Sequence, residues 1–501
     1  MSGKVAWRCV VCGYVHEGAV APDICPVCGA GKNDFEQYAD SSAASAVAES
    51  EAVGSWRCVV CGYLHEGAAA PADCPVCGAG ADQFEAVHEP ASVANIEAVD
   101  DEGRFVIIGA GVAGVSAAET LREKLPQAEV TLISTEKELP YYRLNLTRYL
   151  AGEIDRDTLP LHPADWYEKQ RIRLIRGAQV RGVDPVLKNV TFDDGAKLSF
   201  DKLIMATGSH PYVPPLPGVD KPGVVTLRTA ADADTILDAV RNGVACVCIG
   251  GGVLGIETAG ALAARGADVT MLESHAWLMP RQLNEQAGGV LEKHMSGLGV
   301  KVIKHARSAA IEGDNAVSGV KLVDGRIIPA EMVILTTGVR PNTALARKAG
   351  IEVNNGIVVD NHMRTSVPGV YAAGDVAEHN GQLYGAWAPS QHQGSIAALN
   401  AAGRMITFGG MPRANTIKAL GIDISSIGKI NAEDGSYAVI DEEKDGAYSC
   451  FILHDGRLVG AILIGFSGLA AAARIAIESG RHFSLSDTSA AELREAIDAK
   501  S

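Results

Sequence analysis

Two stretches of this chain impose the same local geometry. Residues 104–119 read RFVIIGAGVAGVSAAE and residues 246–257 read CVCIGGGVLGIE. In each, a short apolar run ends on Gly-x-Gly-x-x-Gly: Gly109, Gly111 and Gly114 in the first, Gly250, Gly252 and Gly255 in the second. The apolar run suits a buried strand. The first glycine turns the chain, the second lets the backbone approach a pyrophosphate, and the third lets the next helix pack on the strand. The helix start then offers free N–H donors and a partial positive charge to phosphate. One such pattern is weak evidence alone. The small residues Ala113, Ser116, Ala117 and Ala118 in the helix strengthen it. Two copies predict two dinucleotide-binding units of the doubly wound α/β kind.

Residues downstream of each fingerprint bear on the ligand. After strand 129–133, Glu136 is the carboxylate expected on the ribose of the first site, although Ser134 holds the tighter strand-end position. The strand 267–272 of the second unit ends at Glu273, where a carboxylate accepts from a free 2′-hydroxyl and repels a 2′-phosphate. Ser274 and His275 follow with no arginine, so NADH is favoured over NADPH. Glu257, on the second fingerprint helix, joins the same site. Two apolar strands close on small turns, one with Ala206, Thr207 and Gly208, the other with Thr337 and Gly338. Residues 365–375, TSVPGVYAAGD, place Gly374 and Asp375 after a strand, which suits a carboxylate gripping the ribityl chain of a flavin. Arg143 and Arg148 lie near the first site.

A chain of 501 residues allows about three or four domains. No apolar run is long enough to span a membrane, and the start MSGKVAWRC has no signal-peptide core, so a cytoplasmic location is expected. The net charge of −16 argues against a nucleic-acid partner. Residues 1–90 hold twelve acids against four bases, which reads as a solvated acidic surface or, alternatively, as a module that docks on a basic face; Arg143 and Arg148 are the cations considered for the docking.

Eight of the eleven cysteines fall inside a repeat. Residues 7–36 and 56–85 align without a gap and differ at only seven of thirty positions, so they are two copies of one module. Each has two C-x-x-C-G knuckles: Cys9 and Cys12 with Cys25 and Cys28, and Cys58 and Cys61 with Cys74 and Cys77. Four thiolates make a tetrahedral site that selects zinc or iron. So small a module cannot bury enough apolar surface to fold alone, and the metal supplies the difference. The other three, Cys246, Cys248 and Cys450, sit in apolar strand-like runs and read as core thiols. The alanine-, serine- and glutamate-rich stretches 40–54 and 86–103 read as linkers.

The CGY-x-HEG and CPVCGA motifs, with their short spacer, resemble the rubredoxin-like module of rubrerythrins. That resemblance implies an iron–tetrathiolate centre in each copy, two irons in all. The paired fingerprints, the ATG-type turns and VYAAGD resemble the two-dinucleotide-fold flavoproteins, with FAD at the first site and NAD at the inserted second. PYYR at 140–143, WAPSQHQG at 387–394 and IKALGIDISSIG at 417–428 narrow the resemblance to the NADH:rubredoxin reductase and nitrite-reductase flavoprotein branch. It implies that Asp375 contacts FAD, that a turn from Trp387 to Gln393 lies by the isoalloxazine, and that Arg143 and Lys418 are near the flavin. The chain lacks the C-x4-C pair that disulfide reductases of this fold carry in the helix after the first fingerprint. It also has no cysteine just before Pro140. Electrons must leave the flavin by another route.

The expected architecture is α/β: two Rossmann-like domains, the NAD domain inserted in the FAD domain, a small α+β C-terminal domain, and two metal-stabilised rubredoxin-like β modules in front. The boundaries read as 4–39 and 53–88 for the modules, 103–217 and 339–410 for the FAD domain, 218–338 for the NAD domain, and 411–501 for a C-terminal domain suited to an interface, a homodimer among them. The expected chemistry passes electrons from NADH through FAD to the iron–tetrathiolate centres, and on to a redox partner such as a rubrerythrin or a flavodiiron protein. The competing expectation is an NADH oxidase or small-acceptor reductase whose four-cysteine modules bind zinc and recruit a partner.

Overall fold

In a computed structural model, residues 102–240, 243–410, 414–419, 421–466, 469–483 and 489–498 are described, with short pieces of the first ninety residues. Those pieces form two matching three-stranded antiparallel sheets. In the first, Ala6–Cys9 lies between Val15–Glu17 and Phe35–Tyr38; in the second, Ser55–Cys58 lies between Leu64–Glu66 and Phe84–Val87. Cys9 and Cys58 end the equivalent strands. Cys12, Cys25, Cys28, Cys61, Cys74 and Cys77 lie outside the described residues.

The body holds two five-stranded parallel sheets. The first is ordered Val370–Ala372, Lys202–Met205, Arg104–Ile108, Glu129–Ile133, Ile172–Ile175. The second is ordered Val224–Thr226, Met332–Leu335, Ala245–Ile249, Asp268–Leu272, Lys301–Ile303. Central strands buried on both faces explain the unbroken apolar runs of the sequence: Phe105, Val106, Ile107 and Ile108 are all buried, as are Cys246, Val247, Cys248 and Ile249. The first sheet is completed by a strand from beyond residue 369, so the second unit is an insertion in the first.

Both fingerprints fold as the pattern requires. Each opens a helix, Val112–Lys124 and Val253–Ala264. Gly109 and Gly250 sit at φ of +109° and +114°, which only glycine adopts easily. A Cβ on Gly114 would strike the Gly109 carbonyl, and one on Gly255 the Gly250 carbonyl. Helix Trp387–Ala401 packs along helix Val112–Lys124, with Gly394 against the Ala113 backbone.

The C-terminal unit is a five-stranded antiparallel sheet, ordered Ala414–Ala419, Ile422–Gly428, Arg457–Ile464, Ala447–His454, Tyr437–Lys444. One face, with Ile424, Tyr448, Ile452 and Ile462, shares a core with Leu278, Met279 and Leu283 of the inserted domain. Asn284 donates to the Tyr448 hydroxyl at 2.9 Å across that seam. The other face is covered by helices Ala470–Glu478 and Ala490–Asp498. Both faces are thus engaged within the chain. No helix of the described residues is long and apolar enough to cross a membrane.

Candidate functional site

A cavity of about 330 Å³ lies where the two nucleotide units meet. The first fingerprint contributes Gly111, Val112 and Ala113, and the second fingerprint helix contributes Val253, Leu254 and Glu257. Ala206, Gly208, Gly374, Asp375 and Trp387 also line it. So Gly111, Arg143, Ala206, Gly208, Gly374, Asp375 and Trp387, predicted for a flavin, share one chamber with Glu257, predicted for a nicotinamide nucleotide, while Gly250, Gly252, Gly255, Glu273, Thr337 and Gly338 are not in its lining.

The glycine geometry fits a dinucleotide. Gly111 and Gly252, the middle glycines, have open space where a Cβ would stand, while the outer glycines are closed in by protein. The outer positions serve the fold; the middle ones leave room for a ligand backbone to approach. Gln393, buried outside the cavity lining, accepts from the Gly374 N–H at 2.9 Å and so ties that chamber residue to helix Trp387–Ala401.

Asp375 takes a hydrogen bond from Ser209 Oγ at 2.7 Å and an ion pair from Arg228 at 3.1 Å. Burial lowers the Arg228 pKa, with repulsion from Arg143 adding to it. Arg143 in turn pairs with Glu136 at 2.6 Å, bonds the Tyr141 hydroxyl at 2.9 Å, and donates to the Arg228 carbonyl. Tyr141 donates to Glu136 at 2.6 Å, and burial pushes its phenol well above the ordinary range. Glu136 therefore braces Arg143 in the wall of the chamber, and Ser134 accepts from the Glu136 N–H at 3.1 Å. Arg148 pairs with Glu153 at 3.0 Å. Neither of the two arginines considered for docking is a free surface cation.

Beside the second fingerprint helix, Thr147 donates to Glu257 at 3.1 Å. Burial pushes the Glu257 carboxyl up to about 7. Glu273 accepts from the Gly251 N–H at 2.8 Å and from the N–H and ring of His275, each at 2.8 Å. Burial alone would raise Glu273; the hydrogen bonds from His275 and Gly251 outweigh it and hold the carboxyl below the ordinary value. The two small turns are bolted to each other through the ribbon Ser209–Pro211 with Val339–Pro341. Thr207 donates to the Asn342 carbonyl at 3.0 Å, Thr337 donates to the Tyr212 carbonyl at 2.6 Å, and the Gly338 carbonyl accepts from the Tyr212 N–H at 2.8 Å. Lys418 lies on strand Ala414–Ala419, and its side chain is outside the described residues.

Sequence reasoning missed Arg228, Ser209 and Thr147, and it took 387–393 as a turn where the structure has the first half of helix Trp387–Ala401. Only Arg228 leaves a local trace: it precedes Thr229 and Asp232, a capping box that starts helix Ala230–Ala239. The described cysteines Cys246, Cys248 and Cys450 are buried in core packing, and none lines the chamber.

Residues 103–405 match the pyridine nucleotide-disulphide oxidoreductase family, residues 7–36 and 56–85 match the rubrerythrin rubredoxin-like domain, and residues 414–481 match the rubredoxin NAD+ reductase C-terminal domain. A nitrite reductase [NAD(P)H] of Bacillus subtilis (strain 168) is 35% identical over 73% of this chain and 46% of its own length. The NADH-rubredoxin oxidoreductase of Clostridium acetobutylicum is 32% identical over 76% of this chain and 96% of its own. The crystal structure of that NADH:rubredoxin oxidoreductase superposes with a TM-score of 0.67 at 30% identity, covering 79% of this chain and 99% of the other. The chain spans about half the length of the nitrite and nitrate reductase relatives it matches. By the extent of the match and by the fold, the chain belongs to the pyridine nucleotide-disulphide oxidoreductase family, and it adds two rubredoxin-like domains in front and a rubredoxin-reductase-type domain behind.

Proposed function

We propose that this protein is an NADH-dependent FAD oxidoreductase that passes electrons to iron–tetrathiolate centres in its own N-terminal modules and from there to an external acceptor. The observation that carries the reading is the chamber shared by residues of both fingerprint stretches, with no cysteine among the described residues of its lining. Reducing equivalents enter it from one nucleotide, and no thiol among the described residues of the lining can take them. FAD, when bound, accepts a hydride and releases electrons one at a time. The overall balance is NADH plus two Fe(III) giving NAD+, a proton and two Fe(II).

The chain's own groups have these roles. Gly109, Gly111 and Gly114 hold the FAD pyrophosphate, and Asp375 accepts from ribityl hydroxyls while Arg228 and Ser209 keep it oriented. Ala206, Thr207, Gly208 and Gly374 shape the flavin side, with Trp387 beside the ring system. Arg143, its charge met by Glu136, lends the flavin side a fixed guanidinium as hydrogen-bond donor. Gly250, Gly252 and Gly255 hold the NADH pyrophosphate, Glu273 takes the adenosine ribose hydroxyls, Thr337 and Gly338 shape that side, and Glu257 faces the nicotinamide. Lys418 belongs to the flavin side only by resemblance. Cys9, Cys12, Cys25 and Cys28, and Cys58, Cys61, Cys74 and Cys77, are the ligands of the two irons.

A rubrerythrin or flavodiiron protein removing peroxide or oxygen suits the outlet, and a cytoplasmic enzyme suits the chemistry. Metal analysis with anaerobic NADH titration tests the reading. Two irons per chain whose colour bleaches with about one equivalent of NADH support it. Zinc in the modules overturns it and returns them to a recruiting role.

A further inference from the structure

Trp387 lines the chamber, and its ring stacks on Tyr142 with centroids 5.4 Å apart and planes 23° from parallel. The backbone that carries each ring is tied into the fold. Trp387 starts the helix that packs along the first fingerprint helix, and Tyr142 is pinned by its N–H to the Leu159 carbonyl at 2.9 Å and by the Asn145 N–H to its own carbonyl at 2.9 Å. Neither ring is buried, and beside them Leu144, 46% exposed, also lines the chamber. An apolar, aromatic rim at the mouth of a redox chamber is the composition of a docking patch.

Charge indicates the occupant. Arg143 and Arg148 are consumed by Glu136 and Glu153. Arg340 is not. It follows the chamber residue Val339, is exposed, lies with its guanidinium 4.4 Å from the Tyr212 ring centroid, and has no carboxylate partner among the described residues. Residues 56–85 carry four acids, Glu66, Asp73, Asp82 and Glu85, against the single base Arg57, and they are covalently joined to the body, which raises their effective concentration.

We propose that the Tyr142–Trp387 stack with Leu144 is the seat of the second four-cysteine module, residues 56–85, that Arg340 steers the module onto it, and that electrons leave the chamber through the stack. The proposal rests on the electron route given above and names where it exits. Each seating takes one electron out and reduces the Fe(III) held by residues 56–85 to Fe(II); that centre passes the electron to the Fe(III) held by residues 7–36 and seats again for the second, so the pair from one NADH ends as two Fe(II).

The test uses the full chain loaded with FAD and iron, without oxygen. In stopped-flow with NADH, Tyr142→Ala slows the flavin-to-iron phase about tenfold or more, the effect of losing an aromatic anchor, whereas Tyr142→Phe stays near wild type. A second readout needs no turnover. In the oxidised protein, amide exchange of segments 141–145 and 385–388 is slow at low salt and speeds up at high salt, and Arg340→Glu removes that salt dependence. Arg340 is exposed, so this variant leaves the fold intact. Wild-type transfer in Tyr142→Ala, or exchange in these segments indifferent to both salt and Arg340→Glu, overturns the proposal. Irons that stay oxidised beside a reduced wild-type flavin overturn the electron route instead, and the exchange experiment still decides the seat.

Discussion

Replacing Glu257 with Gln tests whether the chamber is as dry as its geometry says. Glu257 lies part-buried in the chamber wall, on the second fingerprint helix where residues 146–151 pack against it, with Thr147 as its hydrogen-bond donor. Burial raises its carboxyl from the ordinary 4.5 to about 7, which corresponds to about 3 kcal/mol between the charged forms in the folded and unfolded chain. The folded state holds this proton more tightly than the unfolded state. Its contribution is therefore complete below pH 4.5, is lost progressively as pH rises to about 7, and stays lost above that. A glutamine keeps the shape and can still accept from Thr147, but carries no charge to bury. The variant and the wild type should have nearly equal stability at about pH 4.5. At about pH 8 the variant should be the more stable by up to about 3 kcal/mol, or about 6–12 °C in Tm for a domain of this size. Thermal scans of both proteins at matched cofactor loading, across that pH range, give the answer. Parallel Tm curves would mean that water reaches Glu257 and that the chamber does not desolvate it.

Other expectations follow from the same geometry. Gly111→Ala should fold normally but bind FAD much more weakly, because the added methyl enters the space left for the ligand; Gly109→Ala should lower Tm, because that Cβ meets the Ala206 carbonyl at a positive φ. Asp375→Ala should release FAD on gel filtration, with affinity down by about tenfold or more, since it removes a charged acceptor and leaves Arg228 unpaired. Glu273→Gln combined with His275→Arg should shift kcat/KM from NADH toward NADPH; an unchanged ratio would show that Glu273 does not face the ribose.

The parts of the fold that sequence reasoning reached are those whose cause is local. A glycine fingerprint explains itself within six residues, and the open middle position at Gly111 and Gly252 appears in the structure as the pattern requires. In the C-terminal domain the alternating or apolar runs 436–453 and 458–464 are local strand signals and 469–477 a helix signal, and the structure has a hairpin, a strand and a helix at those places. Pairings between distant residues were not legible. Arg228 meets Asp375 across 147 residues and Thr147 meets Glu257 across 110. No periodicity encodes either, and each depends on how the inserted domain is set against its host. The role sought for Arg143 shows the same limit. From sequence it is a cation near a site; only the fold reveals that Glu136, seven residues earlier, already neutralises it.

That setting of one domain on the other explains why a single chamber exists. The stretch after the second strand of the first sheet does not stay with its own domain. Tyr141, Leu146, Leu150 and Leu159 are buried in the core of the inserted domain, and helix Leu146–Ala151 packs on the second fingerprint helix. Fully burying a leucine contributes about 2 kcal/mol, so this crossing segment holds the two units together by several such contacts. Arg265 adds a clasp, donating to the Leu150 carbonyl at 2.8 Å. The segment that carries Tyr142, Arg143 and Thr147 is thus anchored by the very domain that supplies Glu257 and Arg228. Flavin-side and nicotinamide-side groups are fixed relative to each other by shared core packing before any ligand arrives. A hydride donor and its acceptor need that registry. It also means the exit at Tyr142 is set by the same anchor, so entry and departure of electrons are governed by one rigid piece of chain.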